Sequence, residues 1–367
     1  MRQMGVDIKT GVEVGKDITI DELKKQGYKA FYIAIGCQGS RKAGVAGEDA
    51  KGVMSAVDFL KEAGSTHEFP LEGDVVVIGG GNVAIDVART STRVGDYNVS
   101  MFCLEDRANM PASEEEIEEA VEEGVKLDCG WGPKEILTEN GKVTGIVLKR
   151  CTSVKDADGR FNPQYDENET MTIECSNVIM SVGQAIEWGS LLEGTKVEFW
   201  HGNYPVADKV TYQTAEPDIF VGGDVYTGPK FAIDAIAQGK IAAESLHRYV
   251  HHGHMETGRN RWEFKPLDTD DILVESYDRG PKQVEGINSK VTDKFKDNVL
   301  ALTEEQIKKE TSRCLGCGAS VVDPNKCIGC GICTTKCEFD AIHLNRDLPE
   351  CSTMRKSCLL YTSPSPR

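Results

Sequence analysis

A chain of 367 residues exceeds one average domain and calls for two or three, each burying its own core. Its 59 acidic side chains against 42 basic ones give a net charge of −17, which works against sequence-independent binding to nucleic acid. No apolar run is long enough to span a bilayer and no basic-then-apolar leader opens the chain, so a cytoplasmic protein without a membrane span is expected. The opening "MRQMGVDIKTG" enters directly on a strand-like run, so Met1 reads as an internal methionine of a truncated chain. Residues 5–63 alternate short strands with helical patterns: "GYKAFYIAIG" predicts a buried strand ending at Gly36, and "SAVDFLKEAG" a helix stopped by Gly64. "DVVVIGGGNVAIDVARTSTRVG" and "NVSMFCLED" then read as strand, glycine turn, helix and strand, one βαβ unit of a parallel α/β layer. Between Gly132 and Ser181 the period changes to two, and turn signals at Asn140-Gly141 and Asp158-Gly159 predict an antiparallel meander that includes "TMTIECSNVIMSVG". "PDIFVGGD" returns to a strand, followed by the helix "GPKFAIDAIAQGKIAAESLHRYVH". Residues 251–299 are polar and weakly periodic, a linker or wrapping segment, and the final stretch from Arg355 has no period and is left out of fold reasoning as non-native.

The glycine turn carries the first chemistry. Gly79-Gly80-Gly81-Asn82-Val83-Ala84 fits G-x-G-x-x-A between a strand and a helix, the setting that turns a weak glycine pattern into a dinucleotide fingerprint. Gly79 permits the tight turn, Gly81 lets backbone amides approach a pyrophosphate, and Ala84 allows helix and strand to pack closely. The helix N-terminus adds its partial positive charge. Glu105, 24 residues after Gly81, stands where an acidic residue accepts hydrogen bonds from the adenosine ribose and repels a 2′-phosphate, which favours NADH over NADPH. The competing reading is a solvated loop carboxylate, with Arg107 and Arg93 still within reach of a phosphate.

The cysteines carry the second. Of 13, Cys37, Cys103, Cys129, Cys151 and Cys175 are scattered singly, as in proteins that keep their thiols reduced. Cys327, Cys330, Cys333 and Cys337 stand at C-x2-C-x2-C-x3-C, the ferredoxin run whose thiolates hold the corners of a 4Fe-4S cube, with Gly329 and Gly331 turning amides toward sulfur. Cys314 and Cys317 add a further C-x2-C. A second cluster would share Cys337 with these two and leave the remaining three to find a partner such as Cys351. A zinc ribbon of Cys314, Cys317, Cys327 and Cys330 is the alternative, and it leaves Cys333 and Cys337 unexplained. His201 and His343 sit in no ligand spacing.

These motifs resemble the pyridine-nucleotide-dependent flavoproteins that include the glutamate synthase small subunit and the flavin half of dihydropyrimidine dehydrogenase. The resemblance runs over residues 1–350 through "YIAIGCQGSRKAGVAGED", "VVVIGGGNVAIDVARTSTRVG", "MPASEEEIEEAVEEGVKL", "SVGQ" and "FVGGDVYTGPKFAIDAIAQGKIAAESL". It implies an α/β, Rossmann-like flavoprotein with two dinucleotide domains: a split FAD domain, an inserted NAD domain with a meander, and a small α+β ferredoxin-like domain. The implied division is 1–70 and 182–250 for FAD, 71–181 for NAD(P), 251–300 for the linker, 301–354 for the cluster and 355–367 for the tail.

By the same resemblance Gly36, Gly183, Gln184, Gly223 and Asp224 belong to the FAD site, and the helix start near Phe231 and Ala232 faces the flavin pyrimidine edge. The family's first FAD fingerprint does not occur in the chain. NADP-using members carry paired arginines before "MPA", where this chain has Leu104-Glu105. The implied activity is electron transfer between NADH, FAD and a 4Fe-4S cluster, and on to a ferredoxin or a redox partner subunit or domain, with no catalytic acid, base or nucleophile required. Two alternatives stay open: a glutamate synthase small subunit, and a non-enzymatic cluster scaffold with a vestigial nucleotide pocket.

Overall fold

The computed structural model describes residues 2–201, 203–259, 280–288, 293–296, 299–314, 329–336 and 342–344. In chain order the N-terminal third holds α1 (Ile20–Lys25), β1 (Phe31–Ile33), β2 (Gly39–Ser40), β3 (Val53–Ser55), α2 (Ala56–Thr66), β4 (Val75–Ile78) and α3 (Asn82–Val94). There follow β5 (Val99–Cys103), α4 (Glu114–Glu122), β6 (Lys126–Cys129), β7 (Trp131–Glu139), β8 (Lys142–Lys155), β9 (Phe161–Glu174) and β10 (Asn177–Met180). After β11 (Gln184–Ala185), β12 (Phe199–Trp200), β13 (Tyr204–Pro205) and β14 (Ile219–Val221) come α5 (Asp224–Thr227) and the long α6 (Ala232–Val250). The described C-terminal pieces are β15 (Gly286–Ile287), β16 (Val299–Leu300), α7 (Glu304–Ser312) and α8 (Ile332–Lys336).

A five-stranded parallel sheet in the order β3-β10-β4-β5-β6 organises the centre. β4 is "VVVI", buried at all four positions, as a strand covered on both faces demands. One face packs on α2, α3 and α4 through Phe59, Ala84, Ile85 and Ile117. The other packs on the antiparallel meander β7-β8-β9 through Ile136, Ile146 and Leu148. Each fully buried side chain of this size contributes on the order of 2 kcal/mol, and the two cores share the β4 and β10 strands between them. The β7–β8 turn is built on Asn140 and Gly141 at φ 52° and 76°, the left-handed pair that matches strand twist.

The structure departs from the sequence expectations at several elements. The segment Asn177–Met180 leaves the meander and pairs in parallel with both β3 and β4, because its four residues are all buried and fit only a strand covered on both faces. β3 pairs in parallel with β10, and α2 packs into the core beneath the same sheet. Helix α2 also runs through Gly64 to Thr66 and ends where His67 adopts φ 58° and donates its N–H to the Ala63 carbonyl. The opening run after Met4 is irregular backbone, and the strand expected to reach Gly36 stops at Ile33.

Beside this body, β1 pairs in parallel with β14 over a core of Ile33, Leu191, Ile219 and Val221. Within residues 293–296 the Phe295 ring stacks on His67 at 4.5 Å and Lys294 Nζ lies 2.9 Å from Asp96 Oδ1. No helix among the described residues is long and apolar enough to cross a membrane.

The β3–β10 join depends on Gly52. Its φ is +102°, and a Cβ there would lie 2.5 Å from the Ser176 carbonyl oxygen. Gly52→Ala should therefore cost about 1–3 kcal/mol, read as a lowered urea midpoint at unchanged m-value; an unaltered midpoint would show that the join tolerates a side chain.

Candidate functional site

The glycine turn folds as it does because two neighbours leave no room for side chains. A Cβ on Gly79, whose φ is +148°, would lie 2.4 Å from the Ser181 carbonyl oxygen at the end of β10. One on Gly80 would meet Glu105 Oε2 at 2.8 Å. Gly81 differs: nothing lies within 4 Å of its Cβ position, and as N-cap of α3 it offers no side-chain cap, so the helix amides open onto a cavity. Ala84 is fully buried against β4 and β5, as the fingerprint requires.

Glu105 thus faces the turn. Its carbonyl accepts from Gly130 N–H at 2.9 Å, which ties the end of β5 to the end of β6. Arg107 and Arg93, the two side chains expected within reach of a phosphate, are engaged elsewhere: Arg107 is bidentate to Glu114, and Arg93 Nη2 lies 2.7 Å from Glu123. The loop before α4 closes over the turn, with Ala112 N–H donating to the Gly80 carbonyl at 3.1 Å and Ser113 N–H to Asn82 Oδ1 at 3.0 Å. Asn82 is therefore a brace between turn and loop, with Val83 beside it on the cavity wall.

Two cavities meet at this point. The first, of about 690 Å³, contains Gly79, Gly80, Gly81 and Glu105, and its far wall is the meander's Trp131 and Tyr165 with Lys134 and Lys149. The second, of about 840 Å³, joins Asn82 and Val83 to Gly183, Gln184, Asp224, Phe231 and Ala232. Gly81, Pro111 and Ser181 border both. Gly36 and Gly223 line neither; Gly36 turns the chain after β1 at φ 69°, and Gly223 N–H donates to Gln238 Oε1 at 2.7 Å. Gln184 Nε2 donates to the Cys37 carbonyl at 3.1 Å, and Asp224 Oδ1 accepts from Lys230 N–H at 3.2 Å. The N-cap of the 19-residue α6 is Phe231, again without a side-chain cap.

Sequence reasoning missed Asp86 and Glu116, which face the second cavity. Asp86 stands four residues after Asn82 on the same helix face, a spacing that could have shown it. Burial raises its carboxyl, against the pull of Arg89 and Arg93. Glu116 Oε2 is buried without a hydrogen-bond partner; nothing separates it in sequence from the other glutamates of its run. Of the single cysteines, Cys37, Cys103, Cys151 and Cys175 are buried and Cys129 is half-buried. Register sets Cys103 beside Cys129 across β5 and β6, yet burial pushes both thiols up, as it pushes Cys37 to about 11 and Cys175 to about 12.

Of the expected cluster ligands, Cys314, Cys330 and Cys333 are exposed, while Cys317, Cys327 and Cys337 lie outside the described residues, as does Cys351. Gly329 and Gly331 have φ of 68° and 77°, the left-handed backbone that cluster loops use. Among the described residues no three His, Cys, Asp or Glu side chains form a metal-holding group. His201 and His343 are exposed.

Comparison with known proteins agrees with this geometry. Residues 1–239 match the pyridine nucleotide-disulphide oxidoreductase family, and residues 320–343 match the 4Fe-4S binding domain. The NADP(+)-dependent formate dehydrogenase subunit beta of Moorella thermoacetica is 35% identical over 69% of this chain and 36% of its own. The Glutamate synthase [NADPH] small chain of Escherichia coli K12 is 34% identical over 67% of this chain and 56% of its own. The NADPH-Fe(3+) oxidoreductase subunit beta of Geobacter sulfurreducens is 28% identical over 86% of this chain and 52% of its own. The chain thus spans between about a third and just over half of these relatives. Among solved structures, Mycobacterium tuberculosis FprA in complex with NADPH superposes with TM-score 0.54 at 20% identity, covering 66% of this chain and 68% of that one, a likeness of fold.

The clamp that holds α4 over the turn is electrostatic. Burial pushes the Glu123 carboxyl up, but hydrogen bonds from Arg89 and Arg93 outweigh it and hold it below its ordinary value of 4.5. A lowered folded pKa stabilises above the unfolded value and is lost as pH falls through the folded one. Glu123→Gln should therefore cost on the order of 1 kcal/mol at neutral pH, and the gap to wild type should close below the ordinary value of 4.5. Equal gaps at both pH values in thermal melts would remove Glu123 from the clamp.

Proposed function

This chain belongs to the pyridine nucleotide-disulphide oxidoreductase family, and from that premise we propose that it transfers electrons between NADH, FAD and a 4Fe-4S cluster, and onward to a partner protein or domain. The observation that carries the reading is the meeting of the two cavities at Gly81, Pro111 and Ser181, so that a nucleotide held at the turn ends where the flavin-side residues begin. The uncapped start of α3 binds the pyrophosphate through backbone amides, where the open Cβ position of Gly81 leaves room for it. Glu105 accepts hydrogen bonds from the adenosine ribose hydroxyls and repels a 2′-phosphate.

On the flavin side, Gly183, Gln184 and Asp224 shape the cavity, and the positive end of α6 at Phe231 and Ala232 lies where negative charge builds up on reduction. FAD, when bound, accepts a hydride pair and releases single electrons of the kind an iron–sulfur cluster takes. Cys327, Cys330, Cys333 and Cys337 are assigned to one cluster, and the match to a 4Fe-4S domain over residues 320–343 supports iron–sulfur over the zinc ribbon. Cys314 and Cys317 precede that span and are the candidates for a second. The domain division that fits this assignment keeps 182–250 on the FAD side and gives β3 and α2 to the nucleotide body.

The relatives are named for NADP(H), and the preference for NADH rests on this chain's Leu104-Glu105 and on the carboxylate beside Gly80. Two of them are named as beta subunits and one as a small chain, which supports delivery of electrons to a partner; a glutamate synthase small subunit is the specific second reading.

Anaerobic reconstitution of the chain with FAD, iron and sulfide, followed by titration with NADH and NADPH under optical and EPR detection, tests all of this. One cluster is expected as about four iron atoms per chain, flavin bleaching with NADH and a reduced-cluster signal, while NADPH serves at least about tenfold less well until Glu105→Gln removes the charge. Iron and flavin that bind but stay oxidised with NADH would sink the electron path. Equal use of both nucleotides by the unaltered chain would sink the Glu105 assignment.

A further inference from the structure

Four cations line the cavity of the glycine turn: Arg41, Lys42, Lys134 and Lys149. A pocket so furnished should welcome phosphate beside Glu105, but three of the four are already committed. Lys149 Nζ lies 2.7 Å from Glu167 Oε1 and 4.2 Å from the Tyr165 ring centroid. Lys134 Nζ lies 3.6 Å from Glu167 Oε2 and donates to the Glu167 carbonyl at 3.3 Å. Lys42 pairs with Asp49 at 2.5 Å. Arg41 is the lining cation without an ion pair among the described residues, a suitable partner for the pyrophosphate that every nicotinamide nucleotide carries. Neither Glu167 nor Asp49 lines the cavity, so each neutralises a lining cation from outside its wall.

The lysines on the meander line the same cavity as Glu105. A Cβ on Gly132 would be 2.7 Å from both Leu104 and Tyr165, so the ring under Lys149 and the residue next to Glu105 pack around the same glycine. Arg150, the neighbouring cation on β8, turns away to the Trp131 ring at 5.2 Å and to the Cys129 carbonyl.

We propose that Glu167 is a specificity-determining positioning residue: by pairing with Lys149 and Lys134 on the wall of the cavity that holds Glu105, it denies a 2′-phosphate its counter-charge and so secures the preference for NADH. Glu105 acts directly and Glu167 acts through the two lysines. The assignment rests on the nucleotide-site reading above. It also locates the selectivity in two places far apart in sequence, of which only the first lies in the dinucleotide fingerprint.

Calorimetric titration of the full chain with NADH and with NADPH, before flavin is added, reads the effect without catalysis. Glu167 is an exposed strand residue, its side chain 58% accessible, so Glu167→Gln should fold normally. It should tighten NADPH binding by about tenfold and leave NADH within about twofold, the gain shrinking as salt screens the freed lysines. Adding Lys149→Met to the variant should abolish most of the gain. Equal tightening of both nucleotides, or no change with NADPH while Glu105→Gln admits it, would overturn the proposal and leave the nucleotide site standing. An unaltered chain that binds neither nucleotide would overturn the site reading and this proposal together.

Discussion

The contact between Gly79 and Ser181 is the constraint from which the rest of the arrangement follows. Strands β4 and β10 lie side by side in parallel, so their C-terminal ends arrive together, and the chain turns at Gly79 with its backbone pressed against the Ser181 carbonyl. That closeness leaves no volume for a side chain, and α3 starts three residues on with its first amides uncapped. It also makes Ser181 a shared wall of both cavities. A ligand crevice outside the carboxyl ends of parallel strands is the general rule for such sheets, and here a single backbone-to-backbone approach sets where it opens.

What could be read from the sequence was what is local. The glycine turn, the helix after it and the acidic residue closing the next strand are contiguous or one βαβ unit apart, and all three stand together. The cavity's far wall was not legible, because Trp131, Lys149 and Tyr165 reach it only through meander pairings whose bulges shift register between Lys149 and Arg150. The membership of β3 and β10 was obscured for another reason: short apolar runs are compatible with either kind of sheet, and only burial on two faces decides. Gly64 misled because a glycine inside a helix costs only about 1 kcal/mol, and beyond it Ser65 and Thr66 donate their hydroxyls to the Lys61 and Glu62 carbonyls in the last turn.

The electrostatics have two scales. Globally the chain is acidic, with net charge −17. Locally the cavity of the turn gathers four cations, most of them neutralised by carboxylates just outside it. An anionic dinucleotide therefore approaches through an unfavourable far field and is held by short-range amide dipoles, which salt screens weakly. The acidic surface of α4, with Glu119 and Glu123 held by Arg89, belongs to the far field, while Glu116 on the same helix belongs to the site.

The buried single thiols have a bearing on how the chain acquires its metal. Cys37, Cys103, Cys129, Cys151 and Cys175 are all driven toward the protonated form by burial, and the thiol must ionise before it can take iron or attack an oxidant. Cys314, Cys330 and Cys333 lie exposed at the other end of the chain. Among the described cysteines, those open to solvent are therefore the C-terminal ones, and iron and sulfide reaching the folded molecule would meet accessible thiols there first.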